Sequence, residues 1–396
     1  MLKDLFRNYI YPITVYAGGM VGVGFLALPY IAMKTGIWLM LLYFLVITAL
    51  LVVISLIFCQ ISLKTPDFKR FPGFAGHYLG KWGWIFGMAS IVIGIFIVLL
   101  VYLIIGGQFL TAIFQPIFSG NVLTYTLVYF VAACAILYFD INVISRATFL
   151  GITLLFVSLC FVFVEGFSQI KISNIFISSP DWLHNLFLPY GALLFALWGI
   201  GLVPEVEEML SVKKKNLKKV VIISTIVVSV FYFLFTLLIL GITGAQTAET
   251  ALVGLIGFLP KVLISIALFF GALATFTAFI AQGIILKKTL MFDLKIKRNH
   301  AFIITCFTPL ILLLLGLSSF IPLLSLTGGV LIGIDGILIL LMYKKIYPVK
   351  SGEAGISAKQ KLFNYWVGGK NIIIYPLSVV FLLGLIYEIV YFLKII

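Results

Sequence analysis

Apolar runs of bilayer length recur along the chain from near its first residue to its last. An α-helix rises about 1.5 Å per residue and the hydrocarbon core is about 30 Å thick, so about 20 apolar residues cross it once. Hydropathy, punctuated by glycine, proline and charge, predicts eleven spans: about 10 to 33, 37 to 60, 83 to 112, 121 to 140, 144 to 166, 186 to 205, 218 to 243, 259 to 286, 301 to 317, 320 to 343 and 371 to 393. No stretch remains for a sizeable soluble domain. A mean hydropathy of +1.23, far above the range of soluble globular chains, agrees. The expected fold class is an all-α integral membrane protein of one transmembrane domain. Its opening, MLKDLFRNYI, lacks the basic start and short apolar core of a signal peptide, so the first span is expected to stay. Cys59, Cys134, Cys160 and Cys306 all fall in apolar spans and read as small hydrophobes rather than as metal ligands or disulfide partners.

A net charge of +14 is compatible with nucleic acid binding, but alternate loops account for it more directly. With the N-terminus in the cytoplasm, the loops holding KTPDFKR, SVKKKNLKK, KKTLMFDLKIKR and the 344 to 370 connection all face inward. Lys34, Lys171, Lys261 and Lys394 fall outside, leaving 23 of the 27 Lys and Arg inside. A missed or invented span would scramble this alternation. The chain is therefore expected to be a multi-pass protein of the cell membrane, surrounded by lipid and with no nucleic acid partner; its oligomeric state is not specified. The segment KTPDFKRFPGFAGHYLGKW suits either an interfacial helix or a solvated loop with aromatic anchors.

Two spans carry features that oppose a continuous helix. The first reads AGGMVGVGFLALPY, with Gly18, Gly19, Gly22 and Gly24 ahead of Pro29; the sixth reads LFALWGIGLVPEVEE, with Gly199 and Gly201 ahead of Pro204. They open two successive five-span groups, about 10 to 166 and 186 to 343, with 371 to 393 as an extra helix. Paired interrupted helices at matching positions indicate an inverted-repeat transporter with its site near the midplane. Within lipid, irregular backbone survives only where it faces protein, water or a ligand. A break leaves free NH groups at the start of one half-helix, which suit a carboxylate, and free carbonyls at the end of the other, which suit an ammonium group or small cation. An α-amino acid is the simplest ligand with both. Two other readings stay in view: Gly18 and Gly22 have the spacing of a close helix contact, while GVGFLA matches a dinucleotide fingerprint that lacks the preceding strand.

GVGFLALPY followed by Lys34-Thr35-Gly36 resembles the first span of permeases of the amino acid/auxin and aromatic amino acid permease group, within the amino acid, polyamine and organocation transporter superfamily. FLPYGALLFALWGIGLVPEVEE and its basic exit KKKNLKK are similar to the sixth span of that group. The resemblance implies a five-plus-five inverted-repeat fold with discontinuous helices 1 and 6, and substrate held between spans 1, 3, 6 and 8. Carried onto this chain, the substrate carboxylate meets backbone at Gly22, Val23, Gly24 and Phe25. Its ammonium meets carbonyls near Gly18, Gly19 and the break spanning Leu197, Trp198, Gly199 and Gly201. Trp198 and Phe25 are expected to line the side-chain pocket, and Tyr102 to reach the carboxylate.

No organic cofactor is expected; the coupling ion is a proton or sodium. Asp335, in TGGVLIGIDGILIL, reads as the only acidic residue deep in a span, where burial disfavours charge and suits reversible protonation. Gly328, Gly329, Gly333 and Gly336 around it permit a helix to approach closely. Sodium would require carbonyls near Gly18 and Val21 with the hydroxyls of Thr275 and Thr277, an arrangement the resemblance implies for sodium-coupled relatives. A lysine that replaces this cation in some proton-driven relatives is missing from FLGITLLFVSLCFVFV. Glu205 is expected to gate the inner side by pairing with a basic loop residue.

An enzyme is disfavoured, because His77, His184 and His300 lie in loops or at span ends and Asp140 sits too near an edge to pair with Asp335. The expected function is secondary active amino acid transport, with an amino acid sensor of the same fold as the alternative.

Overall fold

The computed structural model describes residues 9–65, 69–139, 144–177, 185–210, 216–346 and 371–395. Each of the eleven predicted segments falls on a helix or a helix pair. Span 1 becomes α1 (Tyr11–Met20) and α2 (Leu28–Thr35), joined by a 3-10 turn at Val23–Ala27 and bent by 52°. After α3 (Ile37–Lys64) comes a short helix, α4 (Phe71–Leu79), which resolves the interfacial segment as helical, with Phe71 and Phe74 buried. Then follow α5 (Lys81–Phe118), α6 (Val122–Phe139) and α7 (Ile144–Phe167). Span 6 divides into α8 (Leu188–Ala196) and α9 (Val203–Leu210), with a 3-10 turn at Ile200–Leu202 between them. The remaining helices are α10 (Leu217–Thr243), α11 (Lys261–Phe292) and α12 (Arg298–Leu314). Span 10 is α13 (Phe320–Leu326) and α14 (Gly333–Ile346) joined through a π turn at Thr327–Ile332, and α15 is Asn371–Ile395.

By length and composition, six helices can cross a bilayer, or seven when the bent pair of span 1 counts as one; α6, α12 and part of α7 are shorter apolar helices. Most show little division into an apolar and a polar face, as expected where lipid replaces water as the outer solvent. Burial separates the core from the rim. The apolar window of α13–α14 is 78% buried, whereas that of α15 is 17% buried, so span 10 lies inside the bundle and α15 lines its edge. In the interior, α11 packs on α5 and α7, α10 on α1, α2 and α3, and α8 on α13 and the π turn.

The glycine pair Gly328–Gly329 supplies the π turn, a form found mostly where a helix accommodates something close. A Cβ on Gly328 would collide with the Gly191 carbonyl of α8, and one on Gly336 would stand 2.6 Å from the Phe381 ring of α15. The predicted close approach around Asp335 thus involves two neighbours, one on each side of span 10.

Candidate functional site

The break in span 1 falls at Val21 and Gly22, where α1 has ended and Gly22 is extended (φ −125°, ψ −161°). Tyr232 of α10 reaches the gap: its hydroxyl donates to the Met20 carbonyl at 3.1 Å. The Phe25 ring stacks on Tyr232 at 5.2 Å and holds it in place. Gly22, Val23 and Gly24, at the start of a new helical turn, border the open side. In span 6 the chain leaves the helix at Leu197 and resumes at Ile200. There Leu197 NH donates to Leu193 O and Leu202 NH to Gly199 O, each at 3.0 Å.

The two breaks lie against one another. A Cβ on Gly24 would stand 2.8 Å from Phe195 Cδ1 and 3.1 Å from Ala196 Cα; one on Gly199 would stand 2.8 Å from Met20 Cγ and 2.9 Å from Tyr16 Cε1. Gly19 faces Leu202 in the same way, whereas Gly18 and Gly201 have nothing within 4 Å of such a Cβ. The close-contact glycines are thus Gly19, Gly24 and Gly199, and the Gly18–Gly22 spacing does not form the helix contact it would permit.

Between the breaks lies a cavity of about 260 Å³. Of the residues singled out in the sequence, Gly19, Gly22, Val23, Gly24, Tyr102, Trp198 and Asp335 line it. A Cβ on Gly22 would stand 3.7 Å from the Tyr102 hydroxyl, which sets that hydroxyl beside the break. The start of the turn at Val23 presents partial positive charge and the end of α8 at Ala196 partial negative charge, so a zwitterion can span them. The other expected substrate residues sit elsewhere: Phe25 is fully buried among the α10 aromatics, Leu197 is buried in the chain break, and Gly18, Gly199 and Gly201 are outside the cavity wall. Ser90, Gln282, Thr327 and Phe195 also line the cavity, and sequence patterning did not single them out.

The sequence from residue 7 to residue 390 matches the model of the tryptophan/tyrosine permease family. The chain belongs to that family. Among solved structures, the crystal structure of MhsT in complex with L-phenylalanine is similar over 96% of this chain and 97% of its own, at 15% identity and a TM-score of 0.61, which establishes a shared fold. No curated protein matches the sequence. The protein is thus a multi-pass amino acid permease rather than an enzyme.

Asp335 of the permease is buried in the cavity wall, with Ser90 beside its carboxyl and Oδ1 without a hydrogen-bond partner. It is not the only acidic residue deep in a span: Glu388 of α15 is 1% exposed, and neither of its carboxyl oxygens has a hydrogen-bond partner. The signal for it is an acid inside the apolar run GLIYEIVYF.

Val21 and Thr275 meet at a small void of about 40 Å³ whose other walls include Phe25, Leu26, Phe109 and Leu155. Thr275 and Thr277 donate to carbonyls of their own helix, Ala272 at 2.9 Å and Ala274 at 3.1 Å. Thr277 lies against Gly151 of α7, where a Cβ would stand 3.1 Å from its Oγ1, and not at this void. Gly18 is also absent from its walls.

At the inner end Glu205 is half-buried with Oε2 unpartnered, and among the described residues Arg70 is a basic group in electrostatic reach. The close bond in this region belongs to Glu207, which accepts from Ser62 of α3 at 2.5 Å. Below the cavity, a basin of about 790 Å³ is lined by Lys69, Arg70, His77 and Lys288; Ile91 borders both spaces. The cavity therefore adjoins the lysine-rich side of the molecule.

Proposed function

We propose that the permease carries aromatic amino acids across the cell membrane by alternating access, as a secondary active transporter driven by protons bound at Asp335. The observation that carries this reading is the cavity where the Val23–Gly24 turn, the Tyr102 hydroxyl, Trp198 and Asp335 converge. The turn takes the substrate carboxylate and the end of α8 takes its ammonium. Trp198 and Phe195 offer rings to an aromatic side chain, and the Gln282 amide can donate to a phenol oxygen or accept from a phenol or indole. The family's own designation and the L-phenylalanine bound to MhsT support an aromatic substrate.

Proton coupling rests on a carboxyl that lies within the cavity wall and lacks a cationic partner in the structure described. An unpaired carboxylate there is costly, so substrate entry, water access and proton exchange are linked. Sodium is less well served: it needs a shell of oxygen ligands in place of its water, and the void near Thr275 is mostly apolar. The charge distribution supports a cytoplasmic N-terminus, and the basin beneath the cavity then faces inward.

Reconstituted vesicles test this. An imposed inward proton gradient should accumulate labelled tryptophan without sodium, and tyrosine and phenylalanine should compete. Accumulation that requires sodium would overturn the coupling assignment, and binding without uptake would favour a sensor of the same fold. Asp335→Asn should lose gradient-driven accumulation while retaining exchange of substrate for substrate.

A further inference from the structure

We propose that Glu388, on the rim helix α15, is a second proton-binding site whose protonation closes the seam between α8 and span 10. This rests on the transport reading above and adds to it a control point outside the cavity.

Although α15 is the most exposed of the long apolar helices, Glu388 lies on its buried face. Three backbone surfaces with little or no side chain surround the carboxyl. A Cβ on Gly191 of α8 would stand 2.6 Å from Glu388 Oε1 and 2.5 Å from the Ser325 carbonyl of α13, while one on Gly329 of the π turn would overlap the Glu388 side chain. Nearby, the Tyr190 ring of α8 lies over Gly384, and its hydroxyl donates to the Val380 carbonyl at 3.4 Å. The acid thus occupies the junction where α8, span 10 and α15 meet.

The titratable groups facing it are phenols: Tyr43 of α3, Tyr190 of α8, and Tyr387 and Tyr391 of its own helix. The π turn and α13 contribute Gly329 and Ser325, and Asp335 of α14 turns away toward Ser90. Among the described residues no Lys or Arg pairs with Glu388. The neutral carboxyl fits such a junction; the ionised one has only the Gly191 backbone beside it and demands water or a cation as well. Water can reach it by separation of α8 from the π turn, and α8 carries Phe195 and Ala196 of the cavity wall at its other end. Loss of the proton is therefore linked to movement of that wall, and gain of the proton to its closure. In the orientation the charges support, this seam lies on the outer side, opposite the basin.

The test uses the full chain in lipid vesicles and reads exchange of labelled tryptophan at equal inner and outer pH. Wild-type exchange should slow several-fold as pH rises, because ionised Glu388 holds the seam apart. Glu388→Gln should abolish this alkaline slowing. Infrared spectra of the protein in detergent should show, beside the Asp335 contribution, a protonated carboxyl band that Glu388→Gln removes and Asp335→Asn leaves in place. Retention of the slowing or of the band in Glu388→Gln would overturn the proposal. If the Gln variant does not reach the membrane, Glu388→Asp should shift the alkaline limb, and an unchanged limb would overturn it equally. A wild type that exchanges no amino acid would count against the transport reading, and the infrared band would then decide the proton site alone.

Discussion

Both breaks keep backbone caps of their own, Val21 to Ala17 in span 1 and Leu197 to Leu193 and Leu202 to Gly199 in span 6, but in span 1 a neighbour also binds the edge of the gap, the Tyr232 hydroxyl of α10 on the Met20 carbonyl. A break satisfied by its own chain keeps its geometry wherever the helix moves. One also held by a neighbour depends on that neighbour's position. Span 1 is therefore geared to α10, while span 6 behaves as a self-contained joint, and the cavity lies between a dependent wall and an independent one.

The strongest way to break this arrangement is to separate the two walls. Gly24→Val would place its Cβ against Phe195 and, at 3.1 Å, against the Ala196 backbone, which has no side-chain torsion to relieve the contact. Uptake should fall to background while the protein still reaches the membrane, measured by labelled-substrate uptake beside surface quantification. Retained uptake would show that the walls need not touch at Gly24.

Tyr232→Phe tests the dependence of span 1 directly. It leaves the Met20 carbonyl without that partner, at a cost of about 1–3 kcal/mol. If that cost falls on the transporting conformation, exchange should drop about tenfold, since about 1.4 kcal/mol is a factor of ten. The thermal midpoint of the purified protein should also fall. No equivalent deletion exists for span 6, whose bridging bonds are backbone to backbone.

Gly199→Ala probes the same contact from the opposite side, and its effect should be smaller. The added methyl meets Met20 Cγ at 2.8 Å and Tyr16 Cε1 at 2.9 Å, but Met20 has flexible torsions and can yield. A loss of about 1 kcal/mol, seen as a few-fold lower exchange rate, is expected from mild overpacking.

What the sequence made legible was local. The G-x-G steps and their following prolines mark both breaks because backbone freedom and a missing NH act on the residues that carry them. The span edges agree with the helices to within about six residues for the same reason: apolar length is a property of each segment. The contacts that give those segments their roles are not local. Tyr232 is one of 18 tyrosines, and no spacing relates it to Met20, 212 positions away. Gly18 and Gly24 have similar surroundings in sequence, yet one faces open space and the other an opposing helix. Glu388 carried a usable signal, a carboxyl in an apolar run, but its burial depends on Gly191 and Gly329 from two other helices.

Gly201→Ala gives the smallest effect and the sharpest control on the comparison. Gly201 shares its G-x-G step with Gly199 and sits in the 3-10 turn that repairs span 6, but a Cβ there meets nothing within 4 Å, and the residue is exposed. Its φ is not among the positive values found at other glycines, so alanine fits the same backbone. Exchange and thermal midpoint should both stay at the wild-type level. A substantial loss would mean that the turn must flex through a conformation open to glycine alone, and that span 6 is less self-contained than its hydrogen bonds imply. An unchanged rate would leave Gly199, and not the dipeptide step as a unit, as the glycine that the packing of the two broken helices requires.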